Sequence, residues 1–187
     1  MKLALYHGDI LDLDADVLVC SANVSLNLSG GVGGALLSRY GMSLQKELHD
    51  QLPIHAPRFA RCGDVITTHP AGVPYLAILH AVAVDAFYDS DPGVVSYVSR
   101  KALRIASAMR ANTVALAALA TGFGNLTLSD FAKGLRPVLA EHIPPLERIT
   151  IGSEGDAEFT ELTNEFPKAK IVEQVPRAHP LDAESTG

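Results

Sequence analysis

Ser29-Gly30-Gly31-Val32-Gly33-Gly34 places four glycines directly before a helical pattern. Glycine permits positive φ and close approach of a ligand to the backbone. A helix start adds unpartnered N–H groups and a dipole that favours an anion. Such a segment can hold a phosphate without a lysine, or it can be only a flexible loop. It is not a P-loop, because no Gly-Lys-Ser/Thr follows, and its glycine spacing does not fit a dinucleotide fingerprint. Ala118-Leu119-Ala120-Thr121-Gly122-Phe123-Gly124-Asn125-Leu126 carries an apolar strand through Thr-Gly-x-Gly into another helix. Two such junctions in one domain fit a diphosphate, which needs donors from two sides.

Two shorter segments end strand-like runs: Gly8-Asp9-Ile10 and Ser21-Ala22-Asn23. Asp9 is either a ligand acceptor or a turn and cap residue. Asn23 either meets a ligand or bonds the neighbouring backbone. Asp85, Asp89 and Asp91 read first as turn and cap residues, and Asp85 is also a candidate acid or base. Asp12, Asp14 and Asp16 open like a calcium loop, but Val17 and Asn23 stand where its glycine and glutamate belong. The seven histidines form no His-Glu-x-x-His, and His80 ends a buried run as a core histidine would. Gly152-Ser153-Glu154-Gly155 is no nucleophile elbow and reads as the start of a solvated helix. Cys20 and Cys62, both in apolar stretches, are expected to be buried and inert.

The elements that must position these residues alternate along the chain. Strand-like runs are Lys2–Tyr6, Asp16–Ser21, Cys62–Thr67, Tyr75–Ala83, Thr113–Ala118, Glu147–Ile151 and Ala169–Val172. Several are nearly continuous apolar stretches, such as Val17-Leu18-Val19 and Val114-Ala115-Leu116, as in a largely parallel sheet covered on both faces. Between them, Val95, Val98, Ala102, Ile105 and Met109 form a helical stripe that starts at Asp91-Pro92. A second stripe is Leu128, Phe131, Leu135 and Val138 with Thr127 as cap; Gly134 and Pro137 predict a kink or early end. Weaker helical patterns cover Val32–Arg39, Met42–Leu52 and Asp156–Glu165. The expectation is an α/β domain over residues 1–172 with helices on both faces, and an irregular or disordered tail over 173–187.

Fifteen basic against 21 acidic residues give a net charge of -6, which disfavours nucleic acid as a partner. No apolar run approaches the ~20 residues that cross a bilayer, and no signal-peptide apolar region follows Met1. With two cysteines and no C-x-x-C, a reducing cytoplasm is the expected setting.

Together, Gly8-Asp9-Ile10, Ala15-Asp16-Val17-Leu18-Val19, Ser21-Ala22-Asn23, Ser29–Ala35 and Ala120–Gly124 resemble the macrodomain family in order and approximate spacing. The resemblance implies a three-layer α/β/α sandwich with a mixed, mostly parallel sheet that binds ADP-ribose, free or as mono-ADP-ribosylated protein, with no cofactor or metal. By position, Asp9 would contact the adenine amino group and Ile10 would line the adenine pocket. Asn23 would stand beside the distal ribose. Gly30, Gly31, Val32 and Gly33 would form the first phosphate loop. Thr121, Gly122, Phe123, Gly124 and Asn125 would form the second, with Phe123 flanking the distal ribose. Many hydrolytic members carry an aspartate where this chain has Gly33. Phe159 is a candidate adenine-stacking aromatic, with a core role equally open. The leading expectation is hydrolysis of an ADP-ribosyl bond, from a modified protein or an acyl-ADP-ribose, with Asn23 and Asp85 as catalytic candidates. Such bonds are labile enough for positioning and a polarised water to contribute much of the rate. The alternative is a non-catalytic ADP-ribose reader.

Overall fold

Val17-Leu18-Val19-Cys20 is apolar throughout because its strand is covered on both faces. Val17 and Val19 enter one hydrophobic cluster, and Leu18 and Cys20 enter another. A computed structural model describes residues 1–55, 58–69 and 72–173. Its strands are β1 (Lys2–His7), β2 (Val17–Ala22), β3 (Val65–Thr68), β4 (Ala77–Val82), β5 (Thr113–Leu116), β6 (Arg148–Ser153) and β7 (Lys170–Ile171). They form one sheet in the order β3-β4-β2-β5-β6-β1-β7. The β3–β4 pairing is antiparallel and the others are parallel.

The helices are α1 (Gly31–Tyr40), α2 (Met42–Asp50), α3 (Pro92–Ala108), α4 (Leu128–Leu139) and α5 (Asp156–Glu165). On one face, Leu18, Ile78 and Val82 pack with Leu36 of α1 and Leu44 and Leu48 of α2. On the other, Val19, Leu79 and Leu116 pack with Val95 and Val98 of α3, Phe131 and Leu135 of α4, and Leu162 of α5. The architecture is therefore the three-layer sandwich with a mixed, mostly parallel sheet. Among the described residues no helix is long and apolar enough to cross a membrane.

Local chemistry sets the boundaries. Asp91 caps α3, its Oδ1 accepting from Gly93 N at 2.6 Å and Val94 N at 3.0 Å, with Pro92 in the first turn. Thr127 and Asp130 form a reciprocal capping box at the start of α4. The early end expected at Gly134 does not occur. A Cβ there would lie 2.5 Å from the Pro92 carbonyl oxygen and 2.8 Å from Val95 Cβ, so glycine permits the close crossing of α3 and α4. The helix continues through Pro137 to Leu139.

The strand expected from Cys62 begins at Val65, because Arg61–Asp64 makes a turn with Gly63 at φ 97°. That turn corrects the expectation for Cys62, which is exposed rather than buried. Cys20 is buried as expected, and its Sγ lies 3.4 Å from Nδ1 of His80. Thr68 Oγ1 is 2.9 Å from His80 Nε2, so a buried polar chain ties β2, β4 and β3 together. Burial pushes the His80 imidazole down to about 3 and the Cys20 thiol up to about 12, leaving both neutral. Asp16 Oδ2 accepts from Asn112 N, Thr113 N and Thr113 Oγ1, a structural tie between β2 and β5. Apart from Glu173, the expected tail lies outside the described residues.

Candidate functional site

The parallel strands β4, β2, β5, β6 and β1 all finish on one edge of the sheet, where open α/β sheets place ligands. A cavity of about 960 Å³ runs along that edge. Its lining includes Val84 and Tyr88 after β4, Ser21–Asn23 at the end of β2, and Ala117, Ala118 and Thr121–Gly124 after β5. Gly152–Glu158 around the end of β6, Gly8–Ile10 after β1 and the Leu26–Gly33 segment add to it. From β4 to β1 is four strand positions, about 19 Å at usual spacing. Three environments succeed one another along it.

The middle is backbone. Gly30 caps α1 at φ 78°, and the first bond of the helix runs from Gly34 N to Gly30 O at 2.9 Å. The amides at the start of this turn have no acceptor within the helix. Gly31 has φ 51° and only open space within 4 Å of a Cβ position, so its backbone is bare toward the cavity. A Cβ on Gly30 would fall 2.5 Å from Phe123 Cε2, which brings the two glycine loops into contact. The second loop is held to β2 by Ala120 N donating to Ser21 Oγ at 3.1 Å. Ala120 has φ 62°, and a Cβ on Gly124 would collide with the Ala120 carbonyl. Among the described residues, no lysine, arginine or histidine lines the cavity.

The β1–β6 end is acidic, with Asp9, Glu154, Asp156 and Glu158 on the lining. Asp9 takes the capping role anticipated for it and also forms an ion pair, while its carboxylate lies on the cavity lining. Its Oδ1 accepts from Leu11 N at 2.8 Å, capping a short turn at Ile10–Asp12, and Oδ2 pairs with Arg39 Nη2 at 2.6 Å. Arg39 also reaches Asp12 Oδ1 at 2.8 Å. Partial burial works against the Arg39 charge, but the hydrogen bond to Asp12 and the charges of Asp9 and Asp12 raise its pKa overall. Ile10 is buried against Gly152, where a Cβ would lie 2.9 Å from Ile10 Cβ. Phe159 is outside the lining. It stacks on His7 with ring centroids 4.6 Å apart and packs against the core.

Toward the β4 end the lining turns aromatic: Tyr88 follows β4 with Val84, and Phe123 reaches over Gly30 from the second glycine loop. Asp85 and Asn125 are not on the lining. Asp85 Oδ1 accepts from Phe87 N at 2.8 Å and Asp89 N at 3.0 Å, so its carboxylate builds the loop. Asn125 Oδ1 accepts from Ser90 N at 2.9 Å and joins that loop to the second glycine loop. Asn23 does line the cavity. Its Oδ1 accepts from Ser25 N, Ser25 Oγ and Asn27 N at 3.1, 2.7 and 3.3 Å. Its Nδ2 donates to Asn27 O at 3.2 Å, one of two available hydrogens.

The structure thus brings Asp9, Ile10, Asn23, Gly30–Gly33 and Thr121–Gly124 to one cavity and leaves Asp85 and Asn125 behind it. Sequence reasoning missed Ser21, Arg39 and Tyr88. Ser21 stood inside a quoted motif, and Arg39 was a basic residue on a helix beginning at the glycine loop. Tyr88 had no periodic signal, because its place depends on a left-handed backbone at φ 64°.

Residues 19–134 match the Macro domain family model, more than half of the chain. A macro domain-containing protein of Streptomyces griseus is 30% identical over 150 residues, covering 78% of this chain and 83% of that one. The Trypanosoma brucei macrodomain solved in complex with ADP-ribose superposes with a TM-score of 0.74 at 23% identity, over 89% of this chain and 68% of that one. The Oceanobacillus iheyensis macrodomain solved with ADP gives 0.75 at 19% identity, over 86% and 87%. With a family match of this extent and the same three-layer fold, the chain belongs to the macrodomain family.

Proposed function

We propose that this macrodomain recognises ADP-ribose, free or carried on a protein side chain. The observation that carries the reading is the order of environments along the cavity: carboxylates at one end, bare glycine amides in the middle, aromatic rings at the other. Adenosine offers amino and hydroxyl donors, which suit the acidic end. A diphosphate suits backbone amides and a helix N-terminus, particularly where no basic side chain competes for it. The distal ribose then falls beside Phe123 and Tyr88, whose ring faces suit the C–H face of a sugar.

Reading without cleavage is the reading supported best. Gly33 supplies no side chain, Asp85 is committed to its own turn, and neither carboxylate nor imidazole is among the described lining residues at the aromatic end. Hydrolysis keeps one observation in its favour. Asn23 stands at the end of β2 with an uncommitted Nδ2 hydrogen, where it could orient a distal ribose. The attacking water would then be polarised by the ligand's own phosphate.

Calorimetry with AMP, ADP and ADP-ribose tests recognition. The expected order is ADP-ribose tightest, without a divalent ion. Equal affinity for AMP and ADP-ribose would remove the two-loop site. Incubation with glutamate-, aspartate-, serine- and arginine-linked ADP-ribosyl protein, and with acetylated ADP-ribose, separates the two readings: released ADP-ribose establishes a hydrolase.

A further inference from the structure

Tyr88 lies in the loop between β4 and α3, 42% exposed and on the cavity lining. Its φ of 64° is unusual for a large L-residue. Strained backbone persists only where the surroundings over-determine it, and it concentrates at ligand clamps. Here the restraints are visible. Asp85 Oδ1 accepts from the amides of Phe87 and Asp89. Asp85 N donates to Asp89 O at 3.0 Å, and Tyr88 N donates to Asp85 O at 3.2 Å. Asn125 Oδ1 receives Ser90 N and fastens the bend to the second glycine loop.

We propose that Tyr88 is a specificity-determining residue that contacts the distal ribose of ADP-ribose, and that Asp85 is the positioning residue holding it there. The inference rests on the ADP-ribose reading and assigns one end of it. Val84 fixes the location: its Cγ1 would lie 3.0 Å from a Cβ on Gly124, so the Tyr88 loop abuts the second glycine loop. The acidic lining lies toward the opposite end, after β6 and β1. A nucleotide whose adenosine faces the carboxylates and whose diphosphate meets the glycines directs only its terminal sugar toward Tyr88. ADP lacks that sugar and cannot use the contact.

The difference between two ligands is therefore the test. Titration calorimetry of the full chain with ADP and ADP-ribose should show Tyr88→Ala weakening ADP-ribose by about five- to tenfold, the scale of an aromatic contact. ADP affinity should stay within about twofold. Tyr88→Asn, whose side chain tolerates positive φ, should give the same result with the bend kept. Asp85→Ala should reproduce the Tyr88→Ala pattern because it removes the shared acceptor. Asp85→Asn should restore wild-type selectivity, since the amide oxygen still accepts from both backbone groups. A general acid or base at Asp85 would not tolerate that exchange. Equal effects on both nucleotides, or none on ADP-ribose, would overturn the assignment while leaving recognition intact. If the unmodified chain binds neither nucleotide, the ADP-ribose reading fails first and the assignment with it.

Discussion

The two ends of the cavity are built by opposite means. At the acidic end, charged side chains are fixed by other side chains: Arg39 bridges Asp9 and Asp12, and Ser153 Oγ donates to Glu158 Oε2 at 3.0 Å. At the aromatic end, rings are presented by backbone in unusual conformations, with Ala120 and Tyr88 both at positive φ. Charge at one end can select by attraction and repulsion, whereas the other end can select only by shape and contact. Tyr6, below the acidic end, registers the field: burial first, then Asp12 and Asp9, push its phenol upward.

The comparison breaks most completely at the shared middle. Gly31→Glu places a carboxylate in the open space beside the proposed diphosphate, and like charges about 4 Å apart near a protein surface repel by about 4 kcal/mol. Calorimetry should show binding of ADP and ADP-ribose lost together, since neither end can compensate.

At the acidic end, Asp9→Ala should cost about 1.5–3 kcal/mol of ADP-ribose affinity, the scale of a hydrogen bond to a charged group. Asp9→Asn keeps an oxygen for Leu11 N but removes the charge. It separates capping from recognition: normal binding in both variants would make Asp9 a turn residue only.

A test of the scaffold comes from His80, buried in β4. Its folded pKa of about 3 lies below the ordinary histidine value of 6.5, so between these the unfolded chain binds more protons. Stability is therefore full above about 6.5 and falls with pH toward 3, by about 2 kcal/mol at pH 5. Denaturant melts at pH 7 and pH 5 should show that loss, and His80→Gln should flatten it. An unchanged slope would mean that other groups govern acid sensitivity.

The smallest effect sharpens the contrast of charge. ADP-ribose carrying a 2′-phosphate on the adenosine ribose should bind about tenfold more weakly than ADP-ribose, because the added anion meets carboxylates and no basic lining residue. The penalty should shrink at high salt and in Glu154→Gln/Asp156→Asn. Equal affinities across salt concentrations would remove the acidic end from specificity.

What was legible in the sequence was what depends on near neighbours. Apolar runs such as Val17–Cys20 announced buried strands, Asp91-Pro92 announced the start of α3, and the glycine loops announced a backbone site. The family resemblance ordered these parts into one fold. Misreadings arose where distant contacts override local pattern. Gly134 looked like a helix weakness because the α3 crossing that requires it lies some forty residues away in sequence. Cys62 looked buried because a turn at Gly63 cannot be inferred from apolar neighbours. Asp85 read first as a turn residue and also as a candidate acid, and its carboxylate takes the turn role, accepting from amides two and four residues on.

The ring of Phe123 resting on Gly30 adds a kinetic dimension to this geometry. It spans the gap between the glycine loops and is 71% exposed, so it can rotate without disturbing the core. On the proposed ADP-ribose reading, a diphosphate threaded between those loops would leave sideways only when that ring swings clear. Phe123 would then govern residence time more than equilibrium occupancy, delaying arrival and departure alike. A cavity bridged in this way would hold its guest as a latch does, by the frequency with which one small part opens.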